Sequence, residues 1–170
     1  MPNFTGDTTL FRGDSTAAAD IDVVATLTDL RGACVDRGER IATDVRFNIV
    51  ARRTDAAAPR TVSLPIFVSV VQGGNLLVSK QIGAVAVAFA AGSTRAQANG
   101  SAHAEVDRAS TTLPEAIQKK INRVRKPGDL DAATDPMADP EVKAAVRAAT
   151  FEVLVGFQLS DDALAYNAAK

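Results

Sequence analysis

Apolar and polar side chains alternate with a period of two along most of the chain, the spacing at which neighbouring side chains of an extended strand face opposite ways. The cleanest run sets Val45, Phe47, Ile49 and Ala51 against Asp44, Arg46, Asn48 and Arg52. Ile21, Val23, Ala25 and Leu27 make an earlier half-buried strand expected to end near Gly32. Asp36-Arg37-Gly38-Glu39 then supplies a polar turn, so a hairpin joins the two. A third strand carries Val62, Leu64, Ile66, Val68 and Val70 on one face, with Phe67 and Val71 adding apolar area to the other. Pro65 lies inside this run; proline has no N–H for a ladder, which predicts an edge or a bulge there. Gln72-Gly73-Gly74-Asn75 turns the chain into Leu76 to Lys80, and Val85, Val87 and Phe89 follow on one face. Residues 95–106 alternate with small inward side chains, Ala96, Ala98, Ala102 and Ala104. Phe151, Val153, Val155, Phe157 and Leu159 form the last strand.

Between Thr111 and Ala149 the period changes. Pro114-Glu115 reads as the first turn of a helix, where proline is tolerated and an acid favours the dipole. Ile117, Ile121 and Val124 recur at i, i+4 and i+7 among Lys119, Lys120, Arg123 and Arg125, until Pro127-Gly128 stops the pattern. Pro140-Glu141 opens a second short helix holding Val142 and Val146, giving a helical insertion over about 112–149. Ser160 is placed to cap a final helical turn with Asp161 and Asp162. Residues 1–20 are polar and aperiodic and read as an extended tether, 21–166 as a single domain, and 167–170 as a tail. The expected fold is mainly β: an antiparallel immunoglobulin- or fibronectin-like β-sandwich of about seven strands, with the helical insertion before the last. A barrel is the alternative.

Composition narrows the function classes. With 170 residues, 46% of them hydrophobic, the chain is long enough for one real core. A net charge of −1 leaves no electrostatic footprint for nucleic acid, and no window approaches the roughly 18 apolar residues of a membrane span. Neither does the lead-in carry a charged segment followed by an apolar run, as a signal peptide would. Trp is absent and aromatic residues make up 5%, which argues against a base-stacking or sugar-binding platform. One Cys (Cys34) and one His (His103) exclude a Cys/His metal cage and a disulfide framework within the chain, and no cofactor is expected. A Cys34 nucleophile would need His103 as its base, and nothing in the spacing brings them together; Cys34 reads as a small residue beside a turn and His103 as a solvated imidazole. Asp129, Asp131, Asp135 and Asp139 fail the calcium-loop pattern, lacking its central glycine and closing glutamate. Arg12-Gly13-Asp14 and the glycosylation-like triplets at Asn3 and Asn99 are short matches of the kind that arise by chance.

Three stretches carry a resemblance. Residues 27–34 (LTDLRGAC), 64–71 (LPIFVSVV) and 151–160 (FEVLVGFQLS), followed by Leu164-Ala165-Tyr166-Asn167, resemble motifs of a family of uncharacterised alphaproteobacterial envelope lipoproteins. The resemblance implies an immunoglobulin-like sandwich with no assigned activity. It also implies a periplasmic or outer-membrane location, anchored through an N-terminal lipid on the precursor.

Together these features point to a non-enzymatic accessory protein that binds or braces another envelope protein or a membrane complex, and not nucleic acid. Two contact surfaces are expected. One is the edge of the third strand, with Pro65, Phe67, Ser69 and Val71; the other is the first inserted helix, with Ile117, Lys120, Ile121 and Val124. The alternative is a carrier of a small apolar ligand, held between the sheets where the alanines of 95–106 leave room, or under the inserted helices.

Overall fold

The computed structural model describes residues 4–128 and 133–169. Asn3, Asp129 and Asp131 lie outside the described residues, so the triplet at the first and the acidic loop at the others stay at the level of sequence. The chain forms β1 (Asp7–Phe11), β2 (Ile21–Asp36), β3 (Arg40–Arg53), β4 (Arg60–Gln72), β5 (Leu76–Phe89) and β6 (Arg95–Asp107). Helices α1 (Glu115–Asn122) and α2 (Pro140–Ala149) follow, then β7 (Phe151–Phe157) and α3 (Asp161–Ala169). The strands make two antiparallel sheets, ordered β1-β2-β3-β6 and β5-β4-β7.

Period-two patterning produces this arrangement because each sheet buries one face. Val23, Ala25, Leu27, Phe47, Ile49 and Ala51 from the larger sheet meet Val62, Leu64, Ile66, Val87, Phe89, Val155 and Phe157 from the smaller. Burying each large apolar side chain contributes roughly 1.5–3 kcal/mol. The expected β-sandwich, its strand number and the helices before the last strand are all present. Its chain path has one notable property. The second and third strands of an immunoglobulin constant domain lie in different sheets, whereas β2 and β3 are a hairpin within one sheet.

Four local expectations are corrected. Residues 7–11 of the supposed tether are strand β1, with Thr8 and Thr9 buried. Just before it, the carbonyl of Thr5 accepts from Phe157 N (2.8 Å) and that of Gly6 from Leu27 N (2.8 Å). The leading segment thus bonds to both sheets in succession, and its polar threonines hid a strand that has no apolar period. Strand β2 runs past Gly32 to Asp36, because one extra residue is absorbed between Thr28 and Arg31, where Asp29 adopts φ 51°. The expected tail is helical through Ala169: Ser160 Oγ accepts from Ala163 N as its capping position requires, and the buried Asn167 donates Nδ2 to the carbonyls of Phe4 (2.8 Å) and Asp7 (2.9 Å). Finally, β4 is the central strand of its sheet. Pro65 is tolerated because the β7 ladder begins at Ile66, and Pro65 offers only its carbonyl, to Gln158 N (2.9 Å).

Polar contacts close the ends of the sandwich. Arg53, 3% exposed, donates to the carbonyls of Ser93 (2.8 Å), Ala58 (2.7 Å), Ala90 (2.8 Å) and Ala56 (3.3 Å), with its guanidinium 5.0 Å from the Phe89 ring centre. It therefore ties both the β3–β4 and β5–β6 crossovers to one side chain. Nearby, Arg60 grips Asp22 through two contacts of 2.8 and 2.7 Å. At the far end Asp139 caps α2 through Glu141 N (2.8 Å), and Gln72 Nε2 donates to Ala148 O (2.7 Å).

Candidate interaction surface

The outer face of the four-stranded sheet is crossed by regular rows. From β2 through β3 to β6 they read Val24–Arg52–Arg95, Thr26–Val50–Gln97, Thr28–Asn48–Asn99, Arg31–Arg46–Ser101 and Ala33–Asp44–His103. Each row is the polar half of the alternation whose other half fills the core. Two grooves follow this face. One of about 290 Å³ is lined by Val24, Thr26, Val50, Arg52 and Arg95. The other, about 450 Å³, opens at the β2 irregularity among Asp29, Arg31, Arg46, Asn48, Asn99 and Ser101.

The charges on this face are unevenly matched. Arg31 is held by Asp29 at 2.8 Å, and Asn48 Nδ2 donates to the same carboxylate at 3.4 Å. Arg52 and Arg95 stand directly opposite each other across β3 and β6. Both are exposed, and among the described residues no carboxylate bonds to either side chain. Like charges directly opposed on one sheet face are destabilising, so this pair reduces stability in the isolated protein. It also offers two guanidiniums beside apolar side chains.

At the other end of the face, His103 Nδ1 lies 2.8 Å from Asp44 Oδ1 and Nε2 lies 3.3 Å from Glu105 Oε1. Hydrogen bonding to Asp44, then to Glu105, raises the imidazole pKa above its ordinary 6.5; the bond to His103 lowers that of Asp44 below its ordinary 3.8. A raised histidine value means that the charged form is favoured by folding. Its stabilisation is complete below pH 6.5 and is lost as pH rises through the folded value; that from Asp44 is lost as pH falls through its own. In an NMR titration the His103 midpoint is expected above 6.5 and to move down in Asp44→Asn; an unchanged midpoint in the variant would break the assignment.

Cys34 and His103 are not brought together. Cys34 lies opposite Thr43 and bonds its Oγ1 at 3.4 Å, whereas His103 lies opposite Asp44. Adjacent positions of β3 face opposite ways, so thiol and imidazole sit on different faces of the sheet. No group of His, Cys, Asp and Glu among the described residues is arranged to hold a metal ion.

The two expected contact surfaces are changed. Because β4 is flanked by β5 and β7, its supposed edge is interior: Phe67 and Ser69 are buried, Val71 is half-buried, and only Pro65 is exposed. Phe67 lies over Gly156, where a Cβ would come within 2.8 Å of its ring. Alternation shows which face of a strand is buried but not where the strand sits in its sheet. On α1, Ile117 is buried as the helix packs on α2, Ile121 is half-buried, and Lys120 is paired to Asp139 (3.3 Å) and Glu141. The helix stops at Asn122, short of the expected Pro127-Gly128, so Val124 lies beyond it and is open, and the helix serves mainly to close the insertion on itself. Arg52 and Arg95 were missed as a site because β3 and β6 are distant in sequence. Their opposition is a property of register, for which the chain carries no local signal.

The interior space expected beside the alanines of β6 is occupied. Ala96, Ala98 and Ala102 pack against the core, and the Phe47 ring covers Gly100. A larger open groove, about 670 Å³, lies between β1 and α3, where Phe11 and Tyr166 meet edge to face at 5.0 Å. No protein-family model, no curated protein and no solved structure matches this chain.

Proposed function

We propose that this protein is a non-enzymatic, protein-binding accessory subunit of a membrane-associated assembly in the cell envelope, and that the outer face of its four-stranded sheet is the contact surface. The observation that carries this reading is the opposition of Arg52 and Arg95 in a groove they share with Val24 and Val50. A like-charged pair that weakens the free protein is relieved by a partner bringing carboxylates, and arginines beside apolar groups are the side chains on which binding energy concentrates. The partner segment is therefore acidic. The envelope location, with a lipid on the precursor, is supported by the resemblance of residues 27–34, 64–71 and 151–160 to envelope lipoproteins. The separation of Cys34 from His103 supports a role without chemistry.

A photo-crosslinking residue at Val50 of the full chain, produced in its own cells, tests the reading. It is expected to give an adduct with one envelope protein, while the same residue at exposed Ser63 on the other sheet gives none. Arg52→Glu with Arg95→Glu should abolish the adduct, and Arg95→Gln should reduce it while leaving stability equal or slightly higher. Equal adducts from both positions, or adducts that survive the double reversal, would overturn the proposal.

A further inference from the structure

We propose that the tip of the β4–β5 hairpin docks on the surface of an anionic lipid bilayer. Leu76, Leu77 and Val78 are 59, 55 and 52% exposed, and Ile82, four residues further along β5, is 64% exposed. They are not one face of a strand. Leu76 lies opposite Gln72 and Leu77 opposite Val71, so the two leucines point to opposite faces, and both faces of the tip are apolar. A groove on a protein covers one face of such a tip, whereas the interfacial region of a bilayer surrounds both.

Cations accompany the apolar tip. Arg147 donates Nε to Gly73 O (2.6 Å) and lies against the Gly73-Gly74 turn, with Lys143 one helical turn earlier and exposed. Lys80 stands behind the leucines, its Nζ 5.1 Å from the Phe67 ring centre. Between Asp55 and Glu105 the chain has no acidic side chain at all. Glu152, beside Val71 on β7, is the acid that faces the tip from the neighbouring strand. This is the arrangement of an interfacial anchor, with shallow apolar insertion and lysine or arginine at the depth of the headgroups.

Addition of a partner's strand to the β5 edge is the competing occupant, and two features oppose it. Val78 is an extra residue in the β4–β5 ladder, between Leu77 and Ser79, and Lys80 follows at once. A bulge and a lysine on an edge are devices that discourage strand pairing.

Flotation of the full chain with vesicles of equal parts phosphatidylglycerol and phosphatidylcholine tests the proposal, with pure phosphatidylcholine as the reference. Binding to the anionic vesicles is expected. It should fall about tenfold or more when Leu76 and Leu77 are both changed to Ser, and about fivefold in Lys80→Ala at low salt. Because both leucines are exposed, the serine variant should keep the wild-type unfolding midpoint. The chain has no tryptophan, so Leu77→Trp supplies a single reporter, expected to shift to the blue and to be quenched by brominated acyl chains. An unmoved emission, or serine variants that float like the wild type, would overturn the proposal. So would a Leu77 photo-adduct with an envelope protein in the absence of vesicle binding. The Val50 adducts report on a different face and are unaffected by either result.

Discussion

Arg53→Met is expected to lower the free energy of unfolding by about 4 kcal/mol. Methionine keeps much of the aliphatic stem but removes every donor. Four carbonyls then lose the guanidinium: those of Ala56 and Ala90 keep a backbone donor, Gly92 N (2.7 Å) and Ser93 N (3.1 Å), while those of Ala58 and Ser93 lose the donor that serves them. Each of the two part-buried acceptors left unsatisfied costs about 1–3 kcal/mol and the two lost charge-assisted bonds add to this, while water entering at the loop and the recovered desolvation of a buried cation offset part of the sum. Arg53→Lys retains the charge but cannot fork to four acceptors, and should cost roughly half as much. Urea unfolding with the slope held constant measures both. A cost for Arg53→Met within about 1 kcal/mol would mean that the crossovers hold themselves in place.

Phe47 and Gly100 form the second sensitive point. Phe47→Ala should cost about 3–5 kcal/mol, the usual loss for emptying a large aromatic site in a core. Gly100→Ala should cost about 1–3 kcal/mol for the opposite reason: a Cβ there would stand 2.2 and 2.3 Å from two atoms of the Phe47 ring, well inside contact distance. The pair therefore couples. Placed in the Phe47→Ala background, Gly100→Ala should be harmless or should regain stability by filling part of the void, and a double-mutant cycle reads this as a non-additive term. Additive costs would separate the glycine from the ring.

Much of this architecture is legible in the chain, for a physical reason. Where one face of a strand is buried and the other wet, as at Val45 to Arg52, hydrophobicity reports the period directly. The sandwich class, the strand number and the helices before the last strand follow from that. The pattern fails where the burial is polar or the neighbour is remote. Thr8 and Thr9 are buried without being apolar, so β1 reads as a tether. Pro65 reads as an edge, whereas the gap it needs comes from the point at which β7 stops. Gly100 can be recognised as a site of close approach, but nothing near it names Phe47. The same limit governs the candidate site, since Arg52 and Arg95 each look like ordinary solvated side chains until the register sets them opposite each other.

The bonding of the leading segment has a mechanical consequence. Asn167 holds Phe4 and Asp7, so the leading segment from Phe4 and the end of α3 meet at one corner of the molecule. Tension pulled across those ends would not stretch the body along its strands. It would load the Asn167 bond to Phe4 first, then the stitches at Thr5 and Gly6, and would peel the first strand away before the hairpins felt any force. Under such a load the leading end would act as a tear strip, giving way at the corner while the broad arginine-bearing face stayed intact.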